Sequence, residues 1–453
     1  MRTADVVVVG AGPGGIGAAI AAAGSGATVV LLDEHGSAGG QFFRGADSRP
    51  TDADAARLRE LRATLENLHV EVIPSAVAWS IFGLDVLVAH DGRSETITAG
   101  AIVLATGAYD RPVPFPGWTL PGVMSAGGAQ ALLKAHHILP GRRVLLAGAG
   151  PFLLPVASAL AKAGASVIVA EPSTRGDWAS LLPASFRIPS LVRDAASYEL
   201  ALRRGSVERR RGWKLVSIGG ASTVESATIA RVDREWRAVP GTEEQLDVDT
   251  VAIGYGFVPS IELAQLCDCD LRWDVHGQAW FVAVDDAMAT TTPGVYAAGE
   301  ITAVGGWLVA FAAGRIAGAN AAAHALTGAS GTARPDRDLL RRRAFAARLD
   351  RVFAPRPGLW EGLADDTSVV CRCEEVAAGE LRERVRGGCT SPKALKDWTR
   401  AGMGLCQGRI CTGSIAQILA EETGVAPSAV GRPSVRPPVK PIAIEEILME
   451  DLS

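Results

Sequence analysis

The chain has no excess of positive charge: 45 Lys and Arg stand against 49 Asp and Glu, a formal charge of −4 at pH 7. Without a basic field nothing gathers a polyanion, and nucleic acid is excluded as an expected partner. The one strongly basic window, Arg203 to Arg211, is expected to be a solvated helix end or turn. Cysteine is scarce. Seven in 453 residues cannot staple a fold of this size, which excludes a disulfide scaffold and points to thiols acting as ligands in a reducing compartment. A membrane-spanning run is missing too. The nearest to one, Val144 to Ala161, is uncharged but holds Gly148, Gly150, Pro151 and Pro155, which suit a strand, a tight turn and a helix start. It reads as buried core, and peripheral contact with a membrane stays open. No basic stretch, apolar run and cleavage site precede the first strand, so a cytoplasmic location is expected. There is no Ser-His-Asp or Cys-His arrangement and no metal-type histidine spacing; His136-His137 reads as a surface loop before Pro140-Gly141.

What is present suggests a globular α/β enzyme: 48% of residues are hydrophobic and the 51 glycines are dispersed rather than repeated. The length exceeds what one core organises, so two or three domains are expected. Asp5 to Val9 is a β-branched run of the kind buried on both faces of a parallel sheet. It leads into Gly10-Ala11-Gly12-Pro13-Gly14-Gly15, an alanine-rich helical stretch, and a second strand, Ala27 to Leu32, ending at Asp33 and Glu34. This is the context that a dinucleotide-binding turn requires. Gly10 permits the turn, Gly12 lets the backbone approach a pyrophosphate, and Gly15 lets helix and strand pack closely. The helix N-terminus supplies N–H groups and a positive dipole. Asp33 has the better register for a ribose, with Glu34 as the alternate.

Three further segments resemble motifs of the two-dinucleotide-domain flavoproteins. They are Gly39-Gly40-Gln41, the run Ile102 to Gly107 ending in Ala105-Thr106-Gly107, and Thr292 to Glu300 ending in Gly299-Glu300. The resemblance implies FAD, with Glu300 in the place of the acid that bonds the flavin's ribityl chain; the usual residue there is aspartate. No redox dithiol follows Gly40, where disulfide reductases carry one, so disulfide-reductase activity is not expected. Cys267 and Cys269 form only a Cys-x-Cys and read as ordinary structural thiols.

Arg142 to Pro172 repeats the nucleotide pattern, with Gly148, Gly150 and Glu171 at the spacing of Gly10, Gly12 and Asp33. Leu153 replaces the third glycine. A leucine there is expected to push the helix from the strand or to occupy nucleotide space. The unit therefore holds NAD, holds another adenine nucleotide such as ATP as a passive tenant, or is an empty scaffold.

Near the end lie Cys371-Arg372-Cys373 and Cys406 to Cys411, a Cys-x-Cys followed by a Cys-x4-Cys. Four thiolates from two loops make a closed soft-ligand site for a [2Fe–2S] cluster or for zinc, and Cys-x-Cys is tighter than the usual zinc spacing. Cys389 reads as a bystander. The segment from Thr367 to Gly424 resembles the bacterioferritin-associated-ferredoxin-like [2Fe–2S] domain, which implies Cys371, Cys373, Cys406 and Cys411 as ligands.

Taken whole, and most closely over Ala105 to Gln130 and Gly402 to Cys411, the chain is similar to the α subunits of heteromeric FAD-dependent amine and imino-acid dehydrogenases. These are of the opine oxidase, proline or hydroxyproline dehydrogenase and hydrogen cyanide synthase type. The resemblance implies a glutathione-reductase-like α/β flavoprotein with a small C-terminal [2Fe–2S] domain. Expected boundaries are 1–118 and 247–330 for FAD, 119–246 for the second unit, 331–366 for a linker with one helix, 367–427 for the cluster domain and 428–453 for a tail. It implies as partners a separate flavoprotein β subunit carrying the substrate site, and an acceptor protein or quinone. No residue here stands out for amine oxidation. The alternatives are a self-contained NADH-dependent reductase and a non-catalytic electron-transfer or scaffold partner.

Overall fold

The computed structural model of the chain describes residues 2–48, 53–186, 188–205 and 207–447. Ser206 of the basic window and the last six positions of the expected tail lie outside the described residues.

The valine run becomes the strand Arg2–Val9, with Val6, Val7 and Val8 fully buried. It lies between two parallel neighbours, so that Val9 faces Leu32 of Val29–Leu32 on one side and Leu104 of Arg93–Leu104 on the other. The long strand Arg93–Leu104 serves two layers. Its second half carries Val295–Ala297 in parallel, while its first half pairs antiparallel with Asp85–His90, which continues to Val77–Phe82. The last parallel strand thus returns from the far side of the second nucleotide unit. The helices Pro13–Gly24 and Trp307–Thr327 touch backbone to backbone. A Cβ on Gly314 would lie 1.9 Å from the Gly14 carbonyl oxygen, and one on Gly318 would lie 2.0 Å from that of Ala18. Only glycine permits this approach, which seats Gly299-Glu300 beside the first nucleotide turn.

The second sheet is wholly parallel, in the order Val207–Arg211, Ser166–Glu171, Arg143–Gly148, Thr250–Gly254 and Val123–Ser125. The basic window begins as the expected solvated helix end, where Pro189–Arg204 closes with Arg203 75% exposed; what differs is that Val207–Arg211 is the sheet's edge strand. Its arginines are drawn inward because carboxylates wait there. Arg209 pairs with Glu171 and Glu199, Arg211 with Glu171, and Arg210 with Glu208 and Glu244. His136-His137 is likewise a helix end, not a loop: His136 closes Ala126–His136 and His137 caps it in the left-handed conformation.

Beyond the second unit, Asp336 caps the helix Arg337–Val352 by accepting from Leu339 N–H at 2.8 Å. This segment packs on the second unit. Phe353 lies against Trp178 with ring centroids 4.9 Å apart, and Arg348 donates to the Ser180 carbonyl. Leu359, Trp360 and Leu363 then enter one core shared by the second unit and the C-terminal domain. That domain is a short hairpin, Val369–Cys371 with Val376–Ala377, and the helices Ala378–Arg386, Pro392–Thr399 and Thr412–Thr423. From it the chain runs back as a strap over the first domain. Val439 is buried in that domain's core and donates its N–H to the Trp79 carbonyl at 3.0 Å, and Lys440 pairs with Glu34 at 2.5 Å. Among the described residues no helix is long and apolar enough to cross a membrane.

Candidate functional site

One cavity of ≈ 1620 Å³ is lined by the Gly10–Gly14 turn, Asp33 and Glu34, by Gly40, Gln41, Thr106, Gly107, Gly299 and Glu300, and by Cys406 and Arg409. Gly10 has φ +101°, and a Cβ on it would lie 2.5 Å from the Ala105 carbonyl oxygen. Gly12 faces open space, where the nearest atom to an added Cβ is 3.9 Å away on Gly40. The helix begins at once with Pro13, and Gly12 provides no side-chain cap. Its first-turn N–H groups are left for an anion. Asp33 is 4% exposed; its Oδ1 accepts from His35 N–H at 2.9 Å and its Oδ2 has no partner. An orphaned buried carboxylate oxygen at the strand end is what a ribose hydroxyl would satisfy. Glu34 is engaged by Lys440, so the geometry favours Asp33 over its neighbour. Thr106 Oγ1 donates to the Ser260 carbonyl at 2.6 Å, tying that wall to the segment after Gly254. The residues present fit FAD.

Burial pushes the Glu300 carboxyl up to about 7, against the lowering effect of the Gly306 N–H. A Cβ on Gly14 would lie 3.4 Å from the Cα of Gly299, the residue before Glu300, and Glu300 lines the same cavity as the Gly10–Gly14 turn. Ionised Glu300 repels a pyrophosphate and protonated Glu300 does not. FAD affinity should therefore fall as pH rises through neutrality, by about tenfold between about pH 6 and pH 8. Glu300→Gln should hold FAD with a flat pH profile, measured by fluorescence titration of the apoprotein. A wild-type profile as flat as the variant's would refute the assignment.

The second unit is built differently. Its helix starts at Leu153, not at Pro151, the counterpart of Pro13. Leu153 turns inward, 1% exposed, and its Cδ2 would lie 3.0 Å from a Cβ on Gly254. Pro151 and Phe152 form a tight turn instead, with Leu153 N–H on the Gly150 carbonyl at 3.3 Å and Leu154 N–H on that of Pro151 at 3.1 Å, and the regular helix follows it. Phe353 stands over Gly150, 3.8 Å from where its Cβ would be. Glu171 is 1% exposed, with Oε1 accepting from Arg209 and Arg211 at 3.0 Å and Oε2 from Trp178 Nε1 at 3.1 Å. Gly148 has a packing role, since a Cβ there would lie 2.1 Å from the Gly254 carbonyl oxygen.

In the C-terminal domain Cys371 and Cys411 are buried, Cys406 is half-buried and Cys373 is exposed. Gly404 lets the two loops close, because a Cβ on it would lie 2.1 Å from that of Cys373. Among the described residues no three His, Cys, Asp or Glu side chains converge on one metal-ion position. The thiols stand as two facing pairs, Cys371 with Cys411 and Cys373 with Cys406. Cys406 also acts on Cys411, so the two pairs adjoin, and four soft thiolates in one place suit a [2Fe–2S] cluster. The Cys371 thiol is held down at about 5, first by a hydrogen bond from Cys411 and then by the N–H groups of Gly402, Glu374 and Cys373. Gly408 and Ile410 aim theirs at Cys406, although burial pushes that thiol up. Backbone donors directed at sulfur favour a negatively charged cluster. Cys267 and Cys269 are buried apart from this site, and Cys389 packs on the C-terminal core.

Residues 4–181 and 209–325 match the pyridine nucleotide-disulphide oxidoreductase family. The chain belongs to that family. Residues 369–421 match the BFD-like [2Fe-2S] binding domain. An opine oxidase subunit from Rhizobium meliloti is 33% identical, over 98% of this chain and 87% of that protein. Hydrogen cyanide synthase subunit HcnB of Pseudomonas aeruginosa is 32% identical, over 92% of this chain and 93% of that protein. L-proline dehydrogenase from P. horikoshii shares the fold with a TM-score of 0.70 at 20% identity, over 98% of this chain and 79% of that one. The protein is thus an FAD-dependent oxidoreductase with a [2Fe–2S] domain, and its relatives are named as subunits of opine oxidase and of hydrogen cyanide synthase. The family name does not extend to a dithiol here, since Phe42 and Phe43 follow Gln41.

Sequence reasoning missed Glu262, Arg409 and Lys440. Each acts through a partner distant in the chain, and none belongs to a motif; only the Arg409 position, two residues before a ligand cysteine, carried a hint.

Proposed function

We propose that this chain is the electron-transferring FAD and [2Fe–2S] subunit of a heteromeric dehydrogenase that oxidises a C–N bond of an amino acid, imino acid or opine. The substrate site lies on a separate flavoprotein β subunit, and electrons pass to a protein or quinone acceptor, not to NAD. The observation that carries this reading is the shared wall: Cys406 lines the same cavity as the Gly10–Gly14 turn and Glu300. The activities for which the relatives are named supply the substrate class.

In this role FAD supplies two-electron chemistry and the cluster carries single electrons. The chain's own residues bind and orient. The first turn of Pro13–Gly24 holds the pyrophosphate, Asp33 the ribose, and Glu300 the inner end, where its raised proton affinity keeps negative charge low. Asp33 marks the first domain, residues 1–118 and 247–330, as the FAD domain; 119–246 forms the scaffold, 331–366 its cover, 367–427 the cluster domain and 428–453 the tail. Phe353 over Gly150, the inward Leu153 and the occupied carboxylate of Glu171 all disfavour NADH as the donor. Gly150 and Glu171 are accordingly assigned to packing.

The test is copurification of the native complex followed by anaerobic spectroscopy. A flavoprotein partner should accompany the chain, and amino or imino acids should bleach the flavin only when that partner is present. NADH should leave the isolated chain's flavin oxidised; fast bleaching by NADH would put the self-contained reductase in its place.

A further inference from the structure

The Cys406 loop and the wall of the cofactor cavity are joined by one partly buried ion pair that no motif announces. Arg409 lies three residues after Cys406, and its Nη1 donates to the Cys406 carbonyl at 3.3 Å. Its Nε stands 2.9 Å from Glu262 Oε1, an ion pair whose N–H is not aimed at the oxygen, with the side chains only 13% and 14% exposed. Its Nη2 donates to the Val439 carbonyl at 2.9 Å, so the strap is held by the same guanidinium. Glu262 is fixed from behind: its Oε2 accepts from Ser260 Oγ at 3.0 Å. Ser260 in turn gives its N–H to the Gly107 carbonyl at 3.0 Å and accepts from Thr106 Oγ1 at 2.6 Å. An unbroken run of contacts therefore leads from Thr106-Gly107, on the wall of the cavity that would take FAD, through Ser260, Glu262 and Arg409 to the main chain of Cys406. Tyr109, two residues beyond Gly107, lines the same cavity as Cys406 and Arg409.

We propose that Arg409, with Glu262, is a positioning residue that fixes the Cys406 loop against this cavity wall and thereby sets the rate of electron passage between FAD and the cluster. This rests on the electron-transfer reading above. Two largely desolvated charges that meet between the first domain and the C-terminal domain are poor stabilisers, since desolvation offsets much of their attraction. They are good at registering one surface against another, because breaking one partner leaves the other charge buried. Small displacements of redox or reacting groups carry large rate penalties. The contacts beside this pair hold other parts of the C-terminal segment: Trp118 Nε1 donates to the Val369 carbonyl of the hairpin at 2.7 Å and Lys440 holds the strap on Glu34, whereas Arg409 holds the Cys406 loop.

The test uses the purified holoprotein with FAD and iron quantified. Dithionite-reduced protein is mixed anaerobically with a ferricenium salt, a one-electron oxidant, and the flavin and cluster absorption bands are followed separately. Each ferricenium takes one electron from the reduced cluster and becomes ferrocene. The flavin returns one electron to the cluster, and two such passages oxidise it fully, with its protons released to solvent. Cys411→Ala, which removes a ligand, measures the direct reaction of flavin with the oxidant. If wild-type flavin drains no faster than in that variant, the electron-transfer reading itself fails, whatever Arg409 does.

If it does drain faster, Arg409→Met and Glu262→Gln should each slow the flavin phase by about tenfold or more. FAD and iron content and the cluster phase should remain as in the wild type, and Arg409→Lys should restore part of the rate. Unchanged flavin drainage in fully loaded Arg409→Met and Glu262→Gln proteins overturns the proposal. So does loss of iron from both variants, because the pair would then hold the cluster and not its placement.

Discussion

Cys411→Ala is expected to give a yellow protein: FAD bound, cluster gone. Cys411 is fully buried, faces Cys371 across the hairpin and opens the helix Thr412–Thr423. A methyl group there leaves one iron a ligand short, and burial keeps a replacement ligand or water from entering. Iron should fall from about two per chain to about a tenth of that or less, with loss of the reduced cluster's electron paramagnetic resonance signal. Delivery of electrons to a one-electron acceptor should fall by about 100-fold. The lost packing alone costs about 1–2 kcal/mol, less than the loss of the cluster as a cross-link between two loops. The flavin turn lies in another domain and should keep its FAD. Full iron in this variant would show that the ligand set is wrong.

The second large effect lies at the first glycine turn, where two nearby glycines should fail in different ways. A Cβ on Gly15 would lie 1.7 Å from the Gly10 carbonyl oxygen, backbone that has nowhere to go. Gly15→Ala must separate helix from turn, and should lower the apoprotein's stability by about 3 kcal/mol as well as abolish FAD binding. Gly12→Ala meets no atom closer than 3.9 Å. It should leave the apoprotein's thermal midpoint where it was, yet weaken FAD binding by about 100-fold, because its methyl stands where the pyrophosphate approaches. Calorimetry of the apoproteins and FAD titration separate the two. An equally stable Gly15→Ala protein that still binds FAD would contradict the assigned packing.

The two cofactor centres were legible in the sequence because each is local. A glycine turn between a β-branched run and an alanine-rich helix has its chemistry within a few residues, and so do Cys-x-Cys and Cys-x4-Cys. Leu153 announced a defect, but not its resolution by a tight turn before the helix and an inward side chain. The arginines of Val207–Arg211 looked solvated because nothing in their own stretch shows that Glu171 and Glu244 lie beside that edge. Arg409 with Glu262, and Lys440 with Glu34, join surface-like charges distant in the chain; pattern gives periodicity and turns, not which distant carboxylate a guanidinium will meet. The resemblance to the family carried the electron-handling role, which residues alone did not supply.

The strap from the C-terminal domain has a consequence for cofactor exchange. Lys440 closes on Glu34 beside Asp33, the carboxylate proposed for the ribose, and Val439 is sealed into the first domain and held by Arg409. The rim of the adenosine end is thus made by a segment synthesised after both nucleotide units. A flavin that arrives early meets an open rim; one that leaves later must wait for the strap to lift, a local opening distinct from global unfolding. Residence of the flavin in the mature protein is then governed by how often some ten residues of tail come loose.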